Sequence, residues 1–305
     1  MFLTLLLSTF LTFVEMNCEN LFDTRHDPSK QDQEFLPDGP RHWTTYRYWQ
    51  KLNDVGRAIL ACSYDLPDVV ALCEVENDTV LHDLSRRSLL RNAGYEYLMT
   101  ESPDVRGVDV AILYRPARFQ PLCYESLYVK PVKGMRPTRD ILYVKGRIVT
   151  GDTLHFFIVH APSRYGGERT SRPFRLQVAR VLAHAIDSLG GLQNIVVAGD
   201  FNDYDNSPAL KLLYRSGMSN ITKNAAGSLN RARATYRFKG LWRSLDHVLV
   251  SPAMTERVEQ VYVNDAPFLI EEDEQYGGWK PRRTFNGFRY LGGTSDHLPL
   301  VVRFR

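Results

Sequence analysis

The chain has few cysteines, little net charge and no apolar run of membrane-spanning length, and each shortage excludes a class of protein. Its four cysteines are widely and irregularly spaced, without a Cys-x-x-Cys pair, which excludes a zinc knuckle and a redox dithiol. The net charge of +3 over 305 residues is too small to indicate a nucleic-acid partner by itself. No segment has the composition of a disordered tail, and 44% apolar with 24% charged residues is typical of a soluble globular protein.

The first residues leave two interpretations open. Residues 1–14 contain no charge, and their first half is similar to the apolar part of a signal peptide. No basic residue precedes this run, no small-residue cleavage site follows it, and it is shorter than the about 20 residues that span a bilayer. Residues 1–10 are therefore either the remnant of an export signal whose start lies upstream or part of a cytoplasmic chain. We expect no transmembrane span.

Residues 11–305 contain no internal repeat and no Ser-, Gly- or Pro-rich linker, so we expect a single domain, and we also expect a monomer. Apolar side chains at three- and four-residue steps predict helices near residues 49–60, 79–91 and 174–185. Pro- and Gly-rich stretches predict long loops at Arg25–Trp43 and Asn264–Gly293. Apolar runs bounded by turn residues predict strands at Leu11–Asn17, Asp68–Cys73, Val108–Tyr114, Leu122–Val129, Ile141–Val149, Leu154–His160, Ile195–Asp200, Asp246–Val250 and Leu298–Phe304.

The order of these elements predicts the fold class. Strands and helices alternate early in the chain, and several strands then follow one another directly. This order is typical of an α/β protein in which sheets with both parallel and antiparallel pairing are covered by helices.

Polar side chains occupy the ends of six predicted strands. They are Asn17, Glu74, His160, Asp200 with Asn202 two residues on, Asp246, and the pair Asp296-His297. Each alone has an ordinary explanation as a turn residue or a helix cap. In helix-covered sheets, however, polar groups at strand ends converge on one edge, where ligands bind. Their joint occurrence therefore indicates an active site.

Together with their neighbours, these residues resemble the motifs of the endonuclease/exonuclease/phosphatase superfamily, which includes deoxyribonuclease I. The motifs are Asn-x-Glu-Asn from Asn17, a Glu after the second strand, His-x-Pro-Ser-Arg from His160, Gly-Asp-Phe-Asn-Asp from Gly199 and Ser-Asp-His from Ser295. The resemblance implies a four-layered α/β sandwich, in which two mixed β-sheets pack face to face with helices outside. It also implies a metal-dependent phosphoester hydrolase.

The same resemblance implies a cation site. Asn17 and Glu74 would hold Mg²⁺ or Mn²⁺, with Asp296 as an additional ligand. Hard divalent cations prefer such oxygen ligands, and Mg²⁺ commonly relies on one or two carboxylates together with water and a substrate phosphate.

The resemblance also implies catalytic roles. Asp200 would orient and deprotonate the attacking water, and Asn202 would fix the water or a phosphate oxygen through its amide. His297 would donate a hydrogen bond to the scissile phosphate, positioned by Asp246, since a carboxylate partner raises the imidazolium fraction of a histidine. His160 would be a second histidine beside the phosphate.

Four arginines and one aspartate keep more than one interpretation. Arg164 is a candidate for phosphate contact because a guanidinium group matches phosphate bidentately. Arg136, Arg139 and Arg243 share that chemistry but are equally typical of ordinary surface residues. Asp109 lies inside an apolar strand, and it either points into the cleft to hold an arginine or lies on a solvated face.

The substrate also stays open. The mixture of aromatic and basic residues at 279–285 favours a nuclease, since stacking aromatics beside cations commonly bind nucleic acid, although a loop of ordinary composition explains it too. A phosphatase or phosphodiesterase acting on lipid or small-molecule phosphoesters would use the same metal site, because function resides in the loops added to a shared fold. A non-catalytic relative that binds nucleic acid or a partner protein is the third interpretation.

Overall fold

Two six-stranded sheets dominate the described residues, 11–190 and 193–305, of this computed structural model. In chain order the strands are β1 (Leu11–Leu21), β2 (Val69–Val75), β3 (Glu96–Met99), β4 (Asp109–Tyr114), β5 (Phe119–Leu127), β6 (Ile141–Ile148), β7 (Thr153–His160), β8 (Ile195–Asp200), β9 (Ser219–Asn220), β10 (Tyr236–Phe238), β11 (Leu241–Arg243), β12 (Asp246–Val250), β13 (Val258–Val263), β14 (Ile270–Glu272), β15 (Trp279–Pro281), β16 (Phe285–Asn286), β17 (Arg289–Tyr290) and β18 (Leu300–Phe304). The helices are α1 (Thr45–Leu60), α2 (Asp78–Arg86), α3 (Glu168–Leu189), α4 (Pro208–Arg215) and α5 (Pro252–Thr255), with a 3-10 turn at Gln33–Phe35. The predicted export-signal remnant, residues 1–10, lies outside the described residues.

Both sheets are mixed. The first sheet has the order β13-β18-β1-β2-β4-β3, and its only parallel pair among the described strands is β1 with β2. The second sheet has the order β5-β6-β7-β8-β12-β9, with β7 and β8 parallel. The central strands β2 and β8 are apolar along almost their whole length because both faces of each sheet are covered.

The sheets pack face to face, with helices on the two outer faces. Phe13 of β1 stacks on Phe156 of β7 at a ring-centroid distance of 5.5 Å, which joins the two sheets in one core. On one outer face α1 packs against β1 and α2. On the other, Leu182 of α3 and Leu210 of α4 share a second apolar cluster with Phe157 of β7. The predicted four-layered sandwich is therefore confirmed.

Three helices begin at residues whose side chains cap them. Thr44, Asn77 and Ser207 each accept a hydrogen bond from the backbone N–H three residues further on. Such caps satisfy one of the unpaired donors of the first turn. No helix within 11–190 or 193–305 is both long and apolar enough to cross a membrane.

The structure differs from the sequence predictions in several places. Helix α2 ends at Arg86 rather than Arg91. The stretch Asn264–Gly293, predicted as a loop, contains two small hairpins, β14–β15 and β16–β17, whose strands of two or three residues are too short to show a periodic pattern. The hairpin β10–β11 was not predicted either, because its strands are also too short to show a periodic pattern.

Both interpretations of Asp109 need correction. Its carboxylate is buried, and it accepts hydrogen bonds from the Thr100 hydroxyl at 2.5 Å and from the Ser102 backbone N–H at 3.2 Å. Asp109 therefore closes a local turn ahead of β4, neither holding an arginine in the cleft nor facing solvent.

Candidate active site

A cleft of about 290 Å³ opens where the strand ends of both sheets meet. Of the nine predicted site residues, Asp246 lies fully buried behind His297, and Arg164 does not line the cleft. The other seven do line it: Asn17, Glu74, His160, Asp200, Asn202, Asp296 and His297.

Strand register explains why these side chains meet. His160 on β7 and Asp246 on β12 are the direct cross-strand neighbours of Asp200 on β8. From the first sheet, the Asn17 amide donates from Nδ2 to Asp200 Oδ2 at 3.1 Å. Asp200 therefore lies at the junction of the two sheets.

Irregular backbone aims further side chains into the cleft. A bulge in β2 leaves Glu74 with a φ of 63°, and β1 shifts register after Asn17, where Glu19 and Asn20 have φ values of 49° and 60°. The two irregular segments hold one another, because the Asn20 N–H donates to Glu74 Oε2 at 2.8 Å. A non-glycine residue in the left-handed region of backbone conformation costs about 1–3 kcal/mol, and such strain is concentrated at functional sites.

Gly199 allows the close approach of β7 and β8 just before their polar ends. Its φ is 142°, and a Cβ atom added there would lie 1.8 Å from the Val159 carbonyl oxygen. A larger residue would push apart the strands that place His160 beside Asp200. This contact gives a physical reason for the glycine that precedes Asp200 in the motif.

His297 and Asp246 form a buried pair. The ring Nδ1 lies 2.8 Å and 3.0 Å from the two Asp246 oxygens, and the Thr235 hydroxyl donates to the same carboxylate at 2.5 Å. Burial disfavours the charged ring, but attraction by Asp246 and Asp200 outweighs it and holds the pKa of His297 well above its ordinary value. With Nδ1 bonded to Asp246, Nε2 is the ring nitrogen available to the cleft.

Asp200 has the electrostatics of a proton acceptor that works near neutral pH. Burial raises the pKa of its carboxyl to about 7, against attraction by His297 and with repulsion from Asp246. Asn202 orients this carboxylate, donating its backbone N–H to Oδ1 at 2.7 Å and its amide to Oδ2 at 3.2 Å. The Asn202 amide also donates to the Ala161 carbonyl at 3.1 Å, which ties the ends of β7 and β8 together.

His160 is neutral in this setting. Burial, together with repulsion from Arg139 and Arg106, holds the pKa of His160 well below its ordinary value. Its Nε2 lies 3.6 Å from Glu74 Oε1 and 3.8 Å from Asp200 Oδ2, so these approaches are not ion pairs. Its Nδ1 is buried with no hydrogen-bond partner among the described residues.

Glu15 lies beneath this group, two residues before Asn17 on the same face of β1. It is fully buried, and neither carboxylate oxygen has a hydrogen-bond partner in the described part of the chain. Burial, with repulsion from Asp246 and Asp200, raises the pKa of Glu15 well above its usual range. The floor of the site therefore contains a neutral carboxylic acid. The only feature of the sequence that could have indicated it is the presence of an acidic residue inside an apolar strand.

The donor set fits a hard divalent cation. Glu74 Oε1 accepts no hydrogen bond within the described residues, and Asn17 Oδ1 accepts one, from the Glu19 N–H at 2.8 Å, which leaves a second lone pair. Carboxylate and amide oxygens are the ligands that Mg²⁺ and Mn²⁺ prefer. The third predicted ligand, Asp296, is paired with the Arg283 guanidinium at 2.9 Å. That pairing engages Oδ2, and no hydrogen bond to Oδ1 occurs within the described residues, so Oδ1 can accept a cation.

Asp200, Asp246 and His297 are also close enough to hold a metal ion, since one ligand atom from each lies within 4.8 Å of the others. In this structure, however, the His297 Nδ1 is bonded to Asp246, and attraction by these carboxylates raises the pKa of the ring. A metal ion bound here would have to displace the ring proton and the contact with Asp246. Glu74 and Asn17, on the other side of the cleft, offer oxygen atoms to a cation without that cost.

Arg164 is directed away from the cleft. Its guanidinium pairs with Glu168 at 2.8 Å and lies over the Tyr204 ring at 4.3 Å. Arg243 approaches the same ring at 5.6 Å and is exposed, as is Arg136. In this conformation none of the three reaches the cleft.

Arg139 is buried rather than at the surface, which corrects the sequence interpretation. Its guanidinium donates to the carbonyls of His160 and Ala161, at 3.1 Å and 2.8 Å, and pairs with Asp104 at 3.0 Å. It therefore supports the backbone of the cleft instead of contacting a phosphate.

Several cleft residues were not predicted. Arg41, Arg106, Tyr236, Arg283 and Phe285 all line the cleft, and only the last two lie in a stretch, 279–285, whose composition had indicated substrate contact. Three of them come from the two stretches predicted as long loops, so loop length was the available signal. Glu19 lies inside the first motif, and its carboxylate accepts the backbone N–H of Thr284 at 2.6 Å, which fixes one of these stretches beside the cleft.

The chain matches the sequence model of the Endonuclease/Exonuclease/phosphatase family over residues 12–305. Comparison with curated protein sequences gives no significant match.

Three solved structures illustrate the shared fold. One is a protein of the endonuclease/exonuclease/phosphatase family from Bacteroides thetaiotaomicron, with 17% identity, a TM-score of 0.65 and coverage of 97% of this chain and 95% of that one. A mannosyl-6-phosphatase from Bacteroides thetaiotaomicron has 17% identity, a TM-score of 0.62 and coverage of 97% and 99%. A humanized D. rerio TDP2 carrying 14 mutations has 17% identity, a TM-score of 0.60 and coverage of 98% and 100%.

The structural likenesses, at these identities, concern the fold, whereas the sequence match extends over nearly all of the chain. The chain belongs to the endonuclease/exonuclease/phosphatase family.

Proposed function

We propose that this protein is a metal-dependent phosphoester hydrolase, most specifically a phosphodiesterase or endonuclease that cleaves by in-line attack of an activated water. The observation that supports this most directly is the arrangement around Asp200, whose carboxyl has a pKa of about 7 and lies between a charged His297–Asp246 pair and an oxygen ligand set. Family members are phosphoester hydrolases, which supports the same reaction class.

The roles follow from the protonation states. Asp200 accepts the proton of the attacking water, since a general base works best with a pKa near the operating pH. Its orientation depends on Asn202 and Asn17, which donate to its oxygens.

His297 supplies positive charge on the opposite side of the phosphate. Its protonated Nε2 donates a hydrogen bond to a phosphoryl oxygen or a proton to the leaving group, and Asp246 holds the ring in place. Neutral His160 offers a hydrogen-bonding nitrogen without adding a second cation.

Glu74 and Asn17, with Asp296, would hold Mg²⁺ or Mn²⁺. The cation would polarise the phosphoryl oxygen and offset the negative charge that develops during displacement.

A second candidate is a phosphatase, or a phosphodiesterase on lipid or small-molecule phosphoesters. Three guanidinium groups, those of Arg41, Arg106 and Arg283, line the cleft. A terminal phosphate monoester carries one more charge than a diester, and such a cluster suits it. A similar protein is a mannosyl-6-phosphatase, which is consistent with this alternative.

Hydrolysis assays separate these candidates. A generic phosphodiester, a generic phosphomonoester and plasmid DNA are each incubated with Mg²⁺, with Mn²⁺ and with chelator, using wild type and Asp200→Asn. We expect metal-dependent cleavage of the diester and the DNA that falls by at least about a hundredfold in Asp200→Asn. Preference for the monoester would favour the second candidate. Lack of hydrolysis under every condition would contradict catalysis and favour a non-catalytic binding protein.

A further inference from the structure

A groove of about 580 Å³ lies beside the cleft, at the hairpin β10–β11, and is called here the side groove. Three arginines and two tryptophans dominate its lining: Arg231, Arg233, Arg237, Trp242 and Trp279. No carboxylate is among the described residues that line it. The groove therefore combines positive charge with aromatic rings, the two features that bind a nucleic-acid strand.

The side groove is connected to the cleft. A pocket between them shares Tyr236 and Arg283 with the cleft, and shares Arg237 and Gly240 with the side groove. The Tyr236 ring itself lies 4.9 Å from the ring of His297. Tyr236, which lines the cleft, and Arg237, which lines the side groove, are consecutive residues of β10.

The arginines of the groove differ in how they are engaged. The Arg237 side chain is only 6% exposed, pairs with Asp273 at 3.6 Å and donates to the carbonyls of Gly277 and Trp279, so it joins the hairpins β10–β11 and β14–β15. Arg231 and Arg233 have no carboxylate partner in the described part of the chain. Their charge is available to an anion.

The loop that presents these two arginines is fixed. The Asp265 carboxylate is fully buried and accepts the backbone N–H groups of Leu229, Arg231 and Ala232, at 2.8 Å, 2.7 Å and 3.0 Å. A loop held in this way loses little conformational entropy when a ligand binds, which favours affinity.

Stacking surfaces complete the groove. The Arg231 guanidinium lies 5.0 Å from the centre of the Trp279 ring, and Arg237 lies 5.7 Å from that of Trp242. Guanidinium planes and aromatic faces both accept an unstacked base, whereas the bases of a duplex are already stacked on one another.

We propose that the side groove binds a single-stranded segment of a nucleic-acid substrate whose scissile phosphate lies in the cleft, an inference that rests on the proposed phosphodiesterase function. Arg231 and Arg233 bind the phosphates, and the bases stack on the tryptophan rings and the guanidinium groups beside them. Phe238 and Leu241, exposed by 57% and 58% at the hairpin turn, would also suit an anionic lipid surface, so vesicles are part of the test.

Binding is measured by fluorescence anisotropy with a labelled oligonucleotide of about 16 nucleotides, single-stranded or as a duplex, in Mg²⁺ and in the Asp200→Asn background to prevent cleavage. Replacing both free arginines, Arg231→Gln with Arg233→Gln, should weaken single-strand binding about tenfold and reduce the slope of log affinity against log salt by about 1.4. The matched control removes two exposed cations from α3 and α4, Arg180→Gln with Lys211→Gln, and should change neither quantity.

Stacking is tested at Trp242. Trp242→Ala should weaken single-strand binding about tenfold, and Trp242→Phe, which keeps an aromatic face, should restore most of it. Equal loss in both variants would contradict a stacking role. Duplex binding as tight as single-strand binding, or insensitivity to the arginine pair, would overturn the proposal.

The results of the hydrolysis and binding assays together separate this inference from the proposed function. If the generic phosphodiester is hydrolysed but single-strand binding does not depend on the groove, the function stands and the groove proposal fails. If single-strand binding depends on the groove but nothing is hydrolysed, the function fails, and the groove binds a single strand that is not a substrate. Binding to phosphatidylserine-containing vesicles that requires the arginine pair, without oligonucleotide binding, would overturn the proposal in favour of a lipid surface.

Discussion

The largest attraction that keeps His297 charged comes from a side chain that does not line the cleft. Asp246 is fully buried, and both of its oxygens face the His297 Nδ1. The Thr235 hydroxyl donates a hydrogen bond to the same carboxylate and so helps to orient it toward the ring. Replacing Asp246 by asparagine removes the negative charge and keeps the shape of the side chain, so this variant separates the electrostatic role of Asp246 from its packing.

Asp246→Asn should lower kcat by about 10²- to 10³-fold, because the asparagine no longer stabilises the imidazolium and can hold the ring in the wrong tautomer. KM should change much less, since the substrate does not touch residue 246. The measurement is the rate on the generic phosphodiester across pH, with thermal unfolding to show that the variant is folded. An unchanged kcat in a folded variant would remove His297 from the chemical step.

At the scale of elements, the end of β7 is held by a residue from the segment ahead of β6. Arg139 donates to the carbonyls of His160 and Ala161, and Asp104 neutralises its charge. The same Ala161 carbonyl also accepts the Asn202 amide, so one guanidinium supports both the β7 end and the β8 end. Arg139 is a positioning residue for the cleft.

Arg139→Lys should lower the free energy of unfolding by about 1.5–3 kcal/mol, because an ammonium group cannot make all three contacts of the guanidinium at once. It should also lower kcat about 10- to 100-fold, through small displacements of His160 and Asn202, with little change in KM. Urea unfolding and steady-state kinetics measure the two effects.

Arg136→Lys is the matched control, since Arg136 is exposed three residues earlier in the chain. It should leave both quantities within error of wild type. If Arg139→Lys lost stability and kept its kcat, the role of Arg139 would be structural only.

The elements that the sequence predicted well are those whose burial is visible in the pattern of residues. The strands β8 and β12 match their predicted bounds, because covered strands appear as unbroken apolar runs ending at Asp200 or beginning at Asp246. Glu74 was found by the same reasoning, although its bulge and left-handed backbone were not visible.

The partners of charged residues were much harder to predict. Arg139 and Arg164 occur in similar local sequences, yet one is buried against two carbonyls and the other pairs with Glu168. These outcomes depend on which distant segment packs beside each side chain, and a local pattern does not contain that information. The small hairpins around the cleft were missed because two or three residues show no periodicity.

At the scale of the whole molecule, the candidate cation site depends on the packing of the two sheets. Glu74 and Asn17 come from the first sheet, while Asp200, which accepts the Asn17 amide, comes from the second. A cation bound to Glu74 and Asn17 would therefore bind only the folded arrangement in which Asn17 also contacts Asp200. Because binding to the folded state alone shifts the unfolding equilibrium, stability reports occupancy independently of catalysis.

Mg²⁺ or Mn²⁺ at a tenfold excess over its Kd should stabilise the wild-type protein by about 1.4 kcal/mol, measured as a rise in Tm reversed by chelator. Glu74→Gln, which keeps an oxygen to accept the Asn20 N–H, should lose this response because it removes the negative ligand. The matched control is Glu76→Gln, two residues further along the chain and just after β2, where burial already raises the carboxyl pKa to about 8. Its response to Mg²⁺ should equal that of wild type. If instead Glu76→Gln abolished the response and Glu74→Gln kept it, the cation would bind among the acidic residues beside Glu76 and not in the cleft, and the assignment of Glu74 as a ligand would be wrong.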